Sequence, residues 1–247
     1  MQFTDKDYEG IVAHCHKATQ INPKNMQAWH IFSTINDEAS IYFSKKFSKE
    51  YAQHIAAKKG PQPQQNTKFL LHRDFGFNVL PKLLDKHVHP LLTQSVDRQI
   101  SQYLVIAQKY VSHVVSAVTG LVQQLILSSQ HNSASTTKTL QTTLRLLKIW
   151  FQHDNLSQIE QKLRQGFEII DLKVWIEVIP QLLARIDIND EAIKQSLMQL
   201  VEKISMKFPQ ALIYSLSVTQ QAKATQRREA AEQLIEKLKS TQPELIK

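Results

Sequence analysis

Glycine is scarce in this chain. The five glycines among 247 residues are Gly10, Gly60, Gly76, Gly120 and Gly166. They are too few and too scattered to turn the strands of a large sheet, and no two have the spacing of a phosphate-cradling loop. The single cysteine, Cys15, excludes an intramolecular disulfide and suits a reducing compartment. Residues 1–7 include three charged side chains, Asp5, Lys6 and Asp7, and lack the apolar core of a signal sequence, so a cytoplasmic location is expected. The most apolar stretch, Val111–Leu127, is interrupted by His113, Gln123 and Gln124, which are costly in hydrocarbon. It is read as a buried helix, and no membrane span is expected. What fills the chain instead is Leu, Gln, Ala, Lys and Glu, residues that favour helix. The expected fold class is all-α.

The net charge of +8 is unevenly distributed. Lys and Arg outnumber Asp and Glu eight to six over residues 1–60 and nine to three over residues 61–153, and they balance at thirteen each over residues 154–247. The basic residues in the middle are dispersed and are not interleaved with a set of stacking aromatics, so nucleic acid is not an expected partner.

Leu71-His72-Arg73-Asp74-Phe75-Gly76-Phe77 contains both His-Arg-Asp and Asp-Phe-Gly. In a protein kinase these are separate loops, with one Asp accepting the substrate proton and another holding magnesium. Here Asp74 would have to do both, and no glycine-rich loop exists, so the string is read as accidental. His14-Cys15-His16 offers three metal-ligand types, but adjacent helical residues point about 100° apart and cannot close one tetrahedral site. His87 and His89 lack further ligands. No catalytic residue, metal or cofactor is expected.

Composition suggests where the chain changes character. Residues 1–57 contain a helix, a turn at Asn22-Pro23 and a second helix opening at Ala28-Trp29, a pattern like one tetratricopeptide junction with Trp29 as anchor. Residues 58–78 have linker composition at Lys58–Asn66 and are expected to form a flexible insertion. Residues 79–153 return to helical character and complete the tetratricopeptide-like part, with Pro81 and Pro90 at helix boundaries and Leu140, Leu144, Leu147 and Phe151 on one face. Residues 154–247 have the clearest periodicity. Leu156, Ile159, Leu163, Phe167 and Ile170 share a face opened by Asn155 and Gln158, and Ile193, Leu197, Leu200, Val201, Ile204 and Phe208 share another.

Between these two faces, residues 172–186 read as one nearly enclosed helix. Lys173, Glu177, Gln181 and Arg185 form a single polar stripe on it, and Pro180 bends it. After the second face, Phe208-Pro-Gln-Ala-Leu-Ile-Tyr-Ser-Leu-Ser-Val218 opens a further segment. Both stretches are expected to pack as core between stacked helices.

Trp175-Ile-Glu-Val-Ile-Pro180-Gln181-Leu-Leu-Ala-Arg185-Ile186 and Pro209-Gln210-Ala-Leu-Ile-Tyr214, with the weaker Ala28-Trp29-His30, resemble the C-terminal part of the FAT domain of PI3-kinase-related protein kinases. The wording is nearest to the target-of-rapamycin (TOR) branch, where Pro stands in place of Ser215. The resemblance covers about residues 8–45 and 111–245. It implies a right-handed helical-repeat solenoid, tetratricopeptide-like helix pairs followed by HEAT-like pairs over 154–247, and no catalysis by this chain, because the match stops ahead of the rapamycin-binding helices and kinase domain.

The partners implied are a PI3-kinase-related catalytic domain, in cis or in trans, and subunits of TOR-type complexes. Gln27 stands where a Lys would favour an inositol-phosphate site, so no such ligand is carried over. Lys223, Arg227 and Arg228 form a small basic cluster, read as a solvated helix face or as an edge for an acidic partner. The residues taken without the resemblance allow another reading, a helical-repeat adaptor unrelated to any kinase. A basic nucleic-acid-binding helical protein is the less favoured alternative.

Overall fold

A computed structural model describes residues 4–59, 98–130, 136–153 and 156–241. The His-Arg-Asp-Phe-Gly string, His87, His89, Pro81, Pro90, most of the expected insertion and the expected cap Asn155 lie outside the described residues. Ten helices and no strand occur among the described residues, the all-α fold class expected. The helices are α1 (Asp5–Ile21), α2 (Met26–Lys59), α3 (Arg98–Gln130), α4 (Thr136–Gln152), α5 (Ser157–Ile169), α6 (Lys173–Ile176), α7 (Ile179–Leu183), α8 (Glu191–Lys207), α9 (Pro209–Gln220) and α10 (Thr225–Thr241). By packing the chain forms two compact units. The first is Met1–Gln123 with Ile149–Lys162, and the second is Gln124–Lys148 with Leu163–Lys247.

In the first unit, α1 opens with Thr4, whose amide and hydroxyl both donate to the Asp7 carboxylate at 2.8 and 2.7 Å. The helix stops before Pro23, which forces Asn22 out of helical geometry. Asn25 restarts the chain by accepting from the Gln27 and Ala28 amides, a helix N-cap. With no Gly or Pro between Asn25 and Lys59, α2 runs unbroken for 34 residues, about the length of a whole two-helix tetratricopeptide unit. It packs on α1.

One side of α2 buries Ser33, Asn36, Ser40, Ser44 and Ser48 with Phe32, Ala39, Phe43 and Phe47. The small side chains let another helix approach closely. A Cβ on Gly120 of α3 would lie 2.8 Å from the Ser33 Cβ, so glycine is required at that crossing. Val105–Gln130 of α3 is long and apolar enough to cross a membrane, but 61% of its most apolar window is buried within the protein. Tyr110, Val114, Val118, Leu121 and Leu125 are fully enclosed, as the reading of a buried helix expected.

The second unit follows the expected faces closely. Leu163, Phe167 and Ile170 are buried, as are Ile193, Leu197, Leu200, Val201 and Ile204, with Phe208 half-buried at the end of α8. Asp190 caps α8 by accepting from the Ile193 amide at 3.0 Å. Helix α9 packs on α7, α8 and α10, and α10 contributes Ala230, Ala231, Leu234 and Leu238.

Two expectations are corrected. Residues 172–186 form two short helices, α6 and α7, separated at Glu177-Val178, in place of one bent helix. Pro180 sits in the first turn of α7, where its missing N–H costs nothing. The face of α4 is also rotated. Leu144 is exposed and Leu140 and Phe151 are half-buried, whereas Thr143, Leu146, Leu147, Ile149 and Trp150 form the core side. The fully buried Trp150, whose indole donates to Glu160 at 3.0 Å, is bulky enough to set that orientation.

Candidate functional site

Titratable groups with displaced pKa values can mark catalytic clefts. Here they sit at helix crossings. Asp5 on α1 meets Lys46 (2.7 Å) and the Tyr42 hydroxyl (2.8 Å) on α2, and Lys109 on α3 reaches Glu9 at 2.6 Å. Burial pushes the Asp5 carboxyl up, but the Lys46 and Tyr42 donors outweigh it and hold it below the usual carboxylate range. Burial and the Asp5 charge push the Tyr42 phenol up to about 12.

Deeper in the same unit, the Asn36 amide donates to the Phe32 carbonyl at 2.8 Å, which leaves its oxygen to accept the His113 Nδ1 proton at 2.9 Å. The His113 ring stacks on Phe43 at 5.2 Å. Tyr110 and His153 form a buried pair, hydroxyl to Nδ1, at 2.9 Å. Burial lowers the pKa of both imidazoles, that of His153 to about 4, and raises that of Tyr110. These pairs tie α2, α3 and the end of α4 together. Sequence reading missed them, because His113 entered it only as an interruption of an apolar run.

The residues of the His14-Cys15-His16 triplet have separate surroundings. His14 bonds back to the Gly10 carbonyl, His16 lies against Phe32, and the Cys15 thiol is half-buried with its pKa raised by that burial. No group of three or more His, Cys, Asp or Glu side chains able to hold a metal occurs among the described residues. A shallow open groove along α10 is lined by Glu229, Glu232, Gln233, Glu236 and Lys237, with Lys239 and Ser240 at one end, all from a single helix.

The signature residues occupy contrasting positions. Trp29 is half-buried and donates its indole proton to the Pro23 carbonyl at 2.8 Å, so it braces the α1–α2 turn and packs edge-on against Phe32. Trp175 is fully buried and edge-on to Phe167 at 5.3 Å, and its indole N–H is enclosed without a partner. Pro180, Gln181 and Arg185 are exposed, in line with Lys173 and Glu177, so the expected polar stripe faces solvent.

The expectation that Phe208–Val218 is core holds for one side only. Leu212 and Leu216 are buried, while Gln210 is exposed and Pro209 half-buried. Tyr214 is 79% and Val218 55% exposed. The positions two and six residues beyond Leu212 lie on the opposite side of a 3.6-residue helix. The basic cluster divides as well. One Arg227 guanidinium nitrogen donates to both Asp187 oxygens at 3.0 and 3.1 Å, fixing α10 to the segment after α7, whereas Lys223 and Arg228 are exposed.

The family described as "Serine/threonine-protein kinase ATR-like, HEAT repeats" matches residues 158–247. Over 238 residues, 96% of the chain, the sequence is 27% identical to the serine/threonine-protein kinase mTor of Drosophila melanogaster. It is 32% identical over 147 residues, 60% of the chain, to serine/threonine-protein kinase TOR of Arabidopsis thaliana, and 36% identical over 138 residues, 54% of the chain, to that of Oryza sativa subsp. japonica. The chain spans 8%, 6% and 5% of the length of these relatives, respectively. These matches bear out the resemblance: the chain is similar to the helical-repeat FAT region of PI3-kinase-related protein kinases of the target-of-rapamycin type.

Proposed function

We propose that this chain acts as a non-catalytic, FAT-type scaffold in TOR-type signalling, holding a PI3-kinase-related catalytic domain, in cis or in trans, and offering surface to the subunits of such a complex in the cytoplasm. The observation that carries the reading is the alignment of 96% of the chain with 8% of a protein kinase, together with a HEAT-repeat match over residues 158–247. Stacked helix pairs suit such work. Each amphipathic pair buries one face on its neighbours and presents the other, so a run of pairs gives a long surface with little chemistry of its own.

The test is direct. The purified chain, shown by circular dichroism to be helical, is passed over an immobilised TOR-type catalytic domain. Saturable binding supports the scaffold reading. A well-folded chain that does not bind leaves the unrelated adaptor as the better description.

A further inference from the structure

Helix α9 exposes an apolar pair near its centre and is flanked in the sequence by exposed cations. Tyr214 and Val218, one helical turn apart, stand opposite the buried Leu212 and Leu216. Gln210, Ser217 and Gln221 surround them, all exposed. From Lys203 to Arg228 the sequence contains no Asp or Glu but five cations. Two of the five are committed within the unit, Lys203 to Glu168 and Arg227 to Asp187. The other three are exposed. Lys207 lies over the Phe208 ring just before α9, and Lys223 and Arg228 follow its C-terminal end. The three flank α9 in the sequence, Lys207 before it and Lys223 and Arg228 beyond it, and a helix of 12 residues is about 18 Å long, a length that a second helix of similar size can match.

We infer that this side of α9 docks an acidic amphipathic helix of a partner protein, its apolar stripe laid on Tyr214 and Val218 and its carboxylates reaching Lys207 at one end and Lys223 and Arg228 at the other. The complementarity of charge selects this occupant. A basic segment would meet three like charges, and a purely polar one would leave the tyrosine and valine exposed. Tyrosine suits the centre of such a contact, because it contributes a large rigid area with few rotors to immobilise. The inference concerns this chain's own surface and stands whether or not a kinase domain is the partner.

The probe is a helix-forming peptide of roughly 18 residues with leucines on one stripe and glutamates elsewhere, titrated into the full chain by fluorescence anisotropy. Two controls accompany it, one with lysine in place of every glutamate and one with serine in place of every leucine. Saturable binding is expected for the acidic amphipathic peptide alone, with affinity falling as salt rises and hydrogen-exchange protection over residues 209–221. Tyr214→Ser should weaken it about tenfold or more, and Lys223→Glu with Arg228→Glu should weaken it further and flatten the salt dependence. Both sets of changes are on exposed side chains, and circular dichroism verifies that each variant stays folded.

Four outcomes would overturn the inference. These are no saturable binding up to about 1 mM, equal binding of the lysine peptide, binding indifferent to Tyr214→Ser, and a face occupied by something else. The last would appear as self-association in sedimentation, or binding to phosphatidylserine vesicles, that Tyr214→Ser abolishes.

Discussion

In the first unit polar side chains are buried among Phe32, Phe43, Phe47 and Leu121, and hydrogen bonds join separate segments at two places, Asn36 on α2 with His113 on α3 and Tyr110 on α3 with His153 after α4, while Ser33, Ser40 and Ser48 bond back to carbonyls of α2 itself. In the second, the segment from Trp175 to Ile204 buries Trp175, Val178, Ile179, Leu182, Leu183, Ile186, Ile193, Leu197, Leu200, Val201 and Ile204, with Ser196 as the polar exception in that span. The difference is one of what sets the packing. Buried hydrogen bonds fix a register, because a helix shifted by one residue leaves a donor or acceptor unpaired at a cost of about 1–3 kcal/mol. Apolar packing fixes a shape, and is sensitive to volume and almost indifferent to pH. The two units should therefore fail under different perturbations.

The largest expected effect lies on the apolar side of the comparison. Trp175→Ala removes a fully buried indole that packs edge-on to Phe167. It should cost about 3–5 kcal/mol, read from the urea midpoint of the chain. A loss well below that would mean that the enclosed, unpartnered indole N–H already offsets much of the residue's packing.

Acid should act on the polar side. His153 is held neutral, with a folded pKa of about 4 against 6.5 for the free group. Between those values the unfolded chain binds more protons than the folded one, so stability rises with pH. The contribution is complete above pH 6.5 and is lost as pH falls toward 4. It amounts to about 3 kcal/mol, and His113 moves in the same direction. Urea midpoints between pH 7 and pH 4.5 measure it, and His153→Gln should remove most of the slope.

Gly120→Ala puts a methyl 2.8 Å from the Ser33 Cβ and 3.2 Å from the Ser33 Cα, both close to backbone that cannot swing away. A loss of about 1–3 kcal/mol is expected, and Ser33→Gly in the same chain should recover part of it. The smallest change belongs to Tyr214→Ser, which should shift stability by no more than about 0.5 kcal/mol, because that side chain is on the solvent side of α9.

These differences track what could be read in the sequence. The faces of α5 and α8 were legible because leucine and isoleucine at helical spacing have one consistent solution, and that solution is what packs. The face of α4 was not, since counting leucines ignored the bulk of Trp150, which determines which side turns inward. The break at Glu177-Val178 was hidden for a related reason. A proline in an apolar run reads equally as a kink or as a first turn, and only tertiary packing chooses.

Tyr110–His153 and His113–Asn36 pair residues 43 and 77 positions apart, a relation that periodicity cannot see. The exposure of Tyr214 was also hidden, because an apolar helix with two outward-facing members has the same composition as one that is wholly buried. The stronger part of the resemblance rested on Trp175–Ile186 and Pro209–Tyr214, within the region matched as HEAT repeats.

Hydrogen exchange of the folded chain with and without a TOR-type catalytic domain tests the scaffold account most directly. It predicts saturable binding with protection concentrated in residues 172–218, and little change in α1 and α2. A chain that keeps its helical spectrum and shows the same exchange in the presence of excess catalytic domain would contradict it.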